Sequence, residues 1–333
     1  MSRPGPTGEA APAVLSSRFA AMGTVVALHV RPRPGEEAAA AARLEALEAW
    51  FHTVEAALSR FRPESELSRL NVHPGRYALV SPLLGRVLRA ALVAAGRTGG
   101  LFDPTLLPEL EAAGYDRPFG ELPPPEMDGA GPPTVDPAGG PGHPAGSRWA
   151  AVRVEAVPGT PLWLVDRPPG VRFDLGGIAK GWAADRAARA LARHGPAAAD
   201  VGGDVRIVST EPWPVAVADP FDPGRTLLRL ALRGGAVATS DVLGRRWRVA
   251  GGWHHHIVDP RTGRPARTGV VAATVVARTA AAAEALAKAC ILAGPGEAVA
   301  LLAQHGAAGL VVTENRFVRM SSELREVTLR AEG

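Results

Sequence analysis

Apolar and polar positions alternate over residues 19–30, a period of two that predicts a strand. Over 36–58 the period stretches to that of a helix, with Leu44, Leu47 and Val54 turned toward a core. Residues 61–71 read as a loop and 82–98 as a helix, which Gly99-Gly100 stops before the turn opened by Asp103-Pro104-Thr105. Residues 118–146 are so dense in Pro, Gly and acidic side chains that they read as a long surface excursion.

Beyond Trp149 the apolar segments become short and closely spaced. They predict strands over 151–156, 162–166, 171–175, 204–208, 215–218, 227–232, 237–239, 271–278 and 309–313. Helical spacing follows residue 175 and returns over 280–293 and 296–305. Successive strands joined by short turns fit an α+β fold, a largely antiparallel sheet flanked by helices. No segment repeats at a fixed period. We expect a single domain over 18–333, preceded by a disordered Pro-, Gly- and Ala-rich leader over 1–17.

Composition narrows the function classes. At 333 residues, 46% hydrophobic and 21% charged, the chain has the make-up of a soluble globular protein with a substantial core. Its longest apolar candidate, 270–294, is interrupted by Arg278, Glu284 and Lys288, so membrane insertion is not expected. Cys290 is the single cysteine, which excludes an internal disulfide and a cysteine-based zinc site. With no signal segment read in the leader, the cytoplasm is the expected compartment. The net charge of +4 comes from arginines scattered among Asp and Glu rather than gathered in a stripe with aromatics. That pattern argues against nucleic acid and is compatible with an anionic small molecule.

Only two of the 37 basic side chains are lysines, Lys180 and Lys288. A chain that otherwise uses arginine keeps lysine where a compact charge is needed; a coding bias that depletes lysine is the plain alternative. Lys180 lies in Phe173-Asp174-Leu175-Gly176-Gly177-Ile178-Ala179-Lys180-Gly181, which runs through two glycines into a helix. Backbone N–H groups at such a start attract anions, while the helix dipole disfavours a cation there by up to about 1 kcal/mol. An anionic partner resolves that conflict; a solvated lysine beside a structural turn is the other reading. The spacing matches neither of the common nucleotide-binding glycine loops. Val201-Gly202-Gly203-Asp204 is a second glycine-backed wall or simply a turn into a strand.

His254-His255-His256 invites a metal reading, yet neighbours on a strand face opposite sides, so at most two can share a site. His256, entering Ile257-Val258-Asp259-Pro260, suits a general base near neutral pH or a structural bond to that turn. Glu284 and Lys288 stand one turn apart, as in an ordinary exposed helix salt bridge worth about 0.2 to 0.5 kcal/mol. Their neighbours are almost all Ala, Leu, Cys and Ile, so the helix is expected to be buried on most sides.

Taken together, these stretches resemble the FAD:protein FMN transferase family, also called the ApbE family. The resemblance rests on Met22-Gly23-Thr24, Leu58-Ser59-Arg60-Phe61, Ser65-Glu66-Leu67-Ser68-Arg69-Leu70-Asn71 and Gly100-Leu101-Phe102-Asp103-Pro104-Thr105. It continues through the Asp174 to Asp185 segment, Gly202-Gly203-Asp204, Ala238-Thr239-Ser240 and the run from His256 to Gly263. The resemblance implies an enzyme that cleaves the diphosphate of FAD, attaches FMN to a threonine or serine of an acceptor protein, and releases AMP. It places Met22, Phe61, Leu101, Phe102, Asp103, Asp174, Lys180 and His256 at the FAD site, with Gly202, Gly203 and Thr239 as further binding candidates. Phe61 stands where the family usually has tyrosine, so ring stacking is kept and a hydroxyl is lost. His256 is the expected base for the incoming hydroxyl.

The family pattern also implies Mg²⁺, held by an aspartate and a threonine four residues apart and by a backbone carbonyl that falls at Gly177. This chain has Glu284 and Lys288 at the two side-chain positions. A glutamate offers hard oxygen ligands; an ammonium cannot coordinate a cation and repels it. Lys288 is therefore expected to supply the positive charge itself, oriented by Glu284, and His256 and Lys288 are the candidate catalytic residues. The same site would also suit an FAD pyrophosphatase releasing FMN and AMP, or a flavin binder without chemistry.

Overall fold

The computed structural model describes residues 13–122, 148–249 and 252–327. The chain opens with a hairpin, β1 (Leu15–Ala21) and β2 (Thr24–Val30). Its two-residue turn is Met22-Gly23, with φ of 55° and 67°. Two positive φ values match the right-handed twist of a tight hairpin, so what reads as one strand over 19–30 is two. Strand β1 also takes in Leu15, Ser16 and Ser17, which the sequence assigns to the leader; residues 1–12 lie outside the described residues.

Helix α1 (Glu37–Leu58) buries Ala40, Leu44, Leu47, Phe51, Val54 and Leu58, a stripe of three- and four-residue steps. The expected loop over 61–71 contains a short helix, α2 (Glu66–Val72), capped by the Ser65 side chain, which accepts the Ser68 N–H at 2.9 Å. Seven residues are too few for a periodic signal, and the cap is what marks the start. Strand β3 (Tyr77–Val80) leads to α3 (Pro82–Arg97), which begins on the Ser81 cap and ends at Gly99-Gly100, both at positive φ. Helix α4 (Leu107–Ala112) follows.

Strands β4 (Arg153–Ala156) and β5 (Trp163–Asp166) join β3 in a small sheet ordered β3-β5-β4. The expected strand over 171–175 does not form. Phe173 instead exchanges two hydrogen bonds with the Asn71 side chain, at 2.7 and 2.9 Å, and the Asp174 N–H donates to the Pro104 carbonyl at 2.9 Å. A buried amide thus replaces the strand neighbour that the backbone would need.

Helix α5 (Ala179–Leu191) returns the chain to β6 (Ala197–Val201) and the long pair β7 (Asp204–Asp219) and β8 (Asp222–Asp241). Strands β7 and β8 continue through a register shift between Val208 and Trp213, with Pro212, Pro214, Gly234 and Gly235 beside it, so four expected strands are two. Two small ribbons follow: β9 (Arg246–Val249) with β10 (Gly252–His255), and β11 (Val258–Asp259) with β12 (Arg264–Pro265). Strand β13 (Val270–Ala277), helix α6 (Ala280–Gln304), β14 (Ala308–Thr313), β15 (Val318–Met320) and α7 (Ser322–Glu326) complete the described chain. Gly294, at φ 80° and ψ 172°, breaks α6 where two separate helices are expected.

The main sheet has eight strands in the order β1-β2-β6-β7-β8-β13-β14-β15, and every neighbouring pair is antiparallel. This is the expected α+β class. Alternation sorts its faces: Ala197, Ala199 and Val201 face one way and Ala198 the other, as Val311 does against Leu310 and Val312. Helices α1, α5 and α6 cover one face. By length and apolar composition α6 is able to span a bilayer, but it is packed here against β8, β13, β14 and α5.

Candidate active site

Asp174 is aimed by the Asn71 and Pro104 bonds just described, and it ties two parts of a cleft together. Its Oδ1 accepts the Gly176 N–H at 2.9 Å, and its Oδ2 pairs with Arg60 Nε at 2.6 Å. Arg60 donates to the Tyr115 carbonyl at 2.8 Å and lies 4.1 Å from the Phe61 ring centroid and 4.6 Å from that of Tyr115. One guanidinium thereby organises an aromatic wall next to a carboxylate and the start of α5.

The cleft has a volume of about 620 Å³, within the range of small-molecule and cofactor sites. Met22, Phe61, Leu101, Phe102, Asp103, Asp174, Gly177, Lys180, His256 and Lys288 all line it. These residues come from six separate stretches of sequence. Met22 holds a positive φ that non-glycine residues rarely adopt, and this strain sits at the cleft wall. Asp103 turns its own loop, its Oδ1 accepting the Thr105 N–H at 2.7 Å and the Thr105 hydroxyl at 2.6 Å, and burial raises its pKa. Gly177 must lack a side chain, because a Cβ would stand 2.8 Å from the Phe102 ring and 3.1 Å from Lys288 Cε.

Four expected residues lie elsewhere. Gly202 and Gly203 form the tight β6–β7 turn, where a Cβ on Gly202 would meet Thr24 Oγ1 at 2.3 Å and the Gly203 N–H is taken by Asp200 at 2.7 Å. They close a hairpin and do not wall the cleft. Thr239 pairs with Thr274 across β8 and β13, hydroxyl to hydroxyl at 2.9 Å, and is not among the cleft residues. Glu284 lies beneath the cleft and is only 1% exposed.

Glu284 belongs to an ionic cluster rather than an exposed helix pair. Its Oε1 accepts Lys180 Nζ at 2.8 Å and Lys288 Nζ at 3.4 Å, and its Oε2 accepts the Gly181 N–H at 2.9 Å. Lys180 also pairs with the buried Asp204. Burial pushes the Glu284 carboxyl up, but Lys180 and Lys288 outweigh it and hold its pKa below the usual value. The same balance shifts Lys180 the other way: burial opposes, but Asp204 and Glu284 outweigh it and raise its pKa. The anion conflict read at the start of α5 is thus resolved by two carboxylates of the protein itself.

This arrangement does not fit the expected magnesium site. Both Glu284 oxygens are engaged, an ammonium stands at the second ligand position, and no group of three or more His, Cys, Asp or Glu suited to an ion exists among the described residues.

The three histidines separate cleanly. His254 Nδ1 meets the Ala113 carbonyl at 3.0 Å, and His255 Nε2 meets that of Ala266 at 3.1 Å. Burial lowers His255 to a pKa of about 4. Only His256 lines the cleft, with Nδ1 buried and unpartnered. Burial first, then the positive neighbours Arg245 and Lys288, outweigh a hydrogen bond with the Arg245 backbone and hold its pKa well below the ordinary 6.5. It is a neutral imidazole with an open position.

Arg60, Tyr115, Phe119 and Arg245 also line the cleft and are absent from the sequence-derived set. Arg60 lies within Leu58-Ser59-Arg60-Phe61, and Tyr115 is one of only two tyrosines. Phe119 falls in the excursion expected to leave the core over 118–146; it begins a short turn, Phe119–Glu121, at the cleft, while residues 123–147 lie outside the described residues.

An antiparallel sheet backed by helices, with a cleft that sets ammonium and guanidinium groups beside aromatic rings and a neutral imidazole, defines a protein for an anionic ligand carrying a planar ring. The ApbE family model matches residues 22–311. The FAD:protein FMN transferase of Treponema pallidum is 31% identical over 309 residues, covering 87% of this chain and 82% of that protein. The crystal structure of the ApbE protein of Thermotoga maritima superposes with a TM-score of 0.79 at 29% identity, covering 96% of this chain and 100% of that one. The flavin transferase ApbE of Vibrio cholerae, at 24% identity and a TM-score of 0.73, shares the fold over 95% of this chain and 99% of that one. The chain belongs to the ApbE family.

Proposed function

We propose that this chain is an FAD:protein FMN transferase that moves FMN from FAD to a threonine or serine hydroxyl of an acceptor protein. The observation that carries the reading is the meeting, in one cleft of about 620 Å³, of a neutral His256 whose Nδ1 is unpartnered, the ammonium of Lys288, and the Arg60, Phe61 and Tyr115 wall. The rings suit a flavin face and the cations suit a diphosphate.

The acceptor oxygen attacks the phosphorus on the FMN side of the diphosphate, the bond from that phosphorus to the bridging oxygen breaks, and AMP leaves with that oxygen. The hydroxyl proton goes to His256. A diphosphate bound nearby raises the pKa of a buried imidazole, so the base strengthens when substrate is in place. Charge neutralisation and positioning carry most of the remaining work in phosphoryl transfer.

The test is incubation with FAD and a cell extract, with protein-bound flavin fluorescence and released AMP as readouts. Wild type is expected to yield both. His256→Ala is expected to keep FAD binding while losing transfer by a factor of about a hundred or more, the usual scale for a general base. Free FMN with AMP and no labelled protein would identify a pyrophosphatase instead, and unchanged bound FAD a binder without chemistry.

A further inference from the structure

Beneath the cleft, α5, α6 and β7 bring together Lys180, Asp204, Glu284 and Lys288. Two amines face two carboxylates, and burial lowers the Lys288 pKa while it raises that of Asp204 to about 7, so the cluster is balanced within itself. Its bonds are unequally spent. Glu284 has given both oxygens to Lys180, Lys288 and the Gly181 N–H, and Lys180 is shared between Glu284 and Asp204. Lys288 has three ammonium hydrogens but, among the described residues, one long bond, 3.4 Å to Glu284. Its side chain lines the cleft against Gly177, and His256, with its Nδ1 unpartnered, shares that lining.

Resting on the transferase reading, we infer that Lys288 is the built-in cation of this site: its ammonium takes the diphosphate of FAD directly, and FAD is held without a divalent metal ion. A divalent ion brought to the same place would add two charges to a neutral buried cluster, face two ammonium groups, and find the Glu284 oxygens already engaged. The ammonium offers what that ion would offer, positive charge against phosphate oxygens, together with directional donors. It makes and breaks no covalent bond; its hydrogens stay on the non-bridging oxygens while His256 handles the proton. The scarcity of lysine gains a physical reason here, since both lysines of the chain stand in this cluster.

The experiment is a titration of the purified protein with FAD, followed by flavin fluorescence, in EDTA and again in excess MgCl₂. Wild type is expected to give the same Kd in both buffers within about twofold. Lys288→Met, which keeps the length and removes the charge, is expected to bind FAD about tenfold more weakly or worse, with no rescue by Mg²⁺. FAD binding that disappears in EDTA and returns with Mg²⁺ overturns the inference and leaves the transferase reading in place. So does a folded Lys288→Met protein, checked by thermal melting, that binds FAD as wild type does. The absence of FAD binding by wild type in either buffer overturns the transferase reading and this inference with it. The wild-type comparison decides the matter even where Lys288→Met does not fold.

Discussion

At the scale of single residues, the site is governed by which polar atoms have been left without a partner. His254 and His255 are spent on backbone carbonyls, whereas His256 keeps Nδ1 unpaired beside two cations. Because its charged form is disfavoured, the imidazole is neutral over the whole neutral range. Acid loss of kcat/KM, which reports the free enzyme, is therefore expected well below pH 6.5; kcat, which reports the FAD complex, is expected to fall at a higher pH because the diphosphate favours the imidazolium. A pH profile of both constants checks this, and an acid limb of kcat/KM at or above 6.5 would contradict an imidazole whose charged form is disfavoured. Phe61 makes a related point. Without the hydroxyl of a tyrosine it keeps ring area, and Arg60 supplies polarity at the same wall through Asp174.

At the scale of elements, the site depends on how closely α5 approaches the start of α6. A Cβ on Gly181 would lie 2.5 Å from the backbone carbonyl carbon and oxygen of Ala280, and neither is the flexible end of a side chain. The same contact delivers the Gly181 N–H to Glu284 and the Ala280 and Ala281 N–H groups to Asp185, at 3.0 and 3.2 Å. Gly181→Ala is expected to cost about 3 kcal/mol, the upper end of overpacking effects, and to disturb Glu284 as the helices part. Gly296→Ala, a position with nothing within 4 Å and no positive φ, is expected to be neutral or stabilising by up to about 1 kcal/mol. Urea midpoints of the two variants against wild type measure the contrast.

Over the whole molecule, the ionic cluster is a junction: Lys180 on α5, Asp204 on β7, and Glu284 and Lys288 on α6 fasten the helical layer to the sheet under the cleft. Removing the charge of one partner in a buried network leaves the others uncompensated. Glu284→Gln is expected to destabilise the fold by about 3 to 5 kcal/mol, read as a loss in denaturant midpoint. The periodic parts of this fold are legible in the chain. The α1 stripe, α3 with its glycine stop, the break in α6 and the antiparallel class all follow from spacing, because burial on one face repeats locally. Ten of the expected site residues share one cleft for a similar reason, since they sit in motifs whose residue types carry the chemistry. Sequence does not report what a polar group bonds to across space. Segment 171–175 is apolar enough for a strand, yet Asn71, about a hundred residues away, takes its hydrogen bonds. Gly202-Gly203 and Thr239 look like site residues and serve the sheet. Glu284 and Lys288 fit an exposed helix pair by spacing alone, and only the approach of α5 and β7 makes them part of a buried, balanced cluster. The chain by itself determined where apolar faces repeat and which side chains carry chemistry, since both are properties of near neighbours. Tertiary structure alone decided which charges meet and which atoms remain unpaired, because partners far apart in the chain set the energy of a buried polar group.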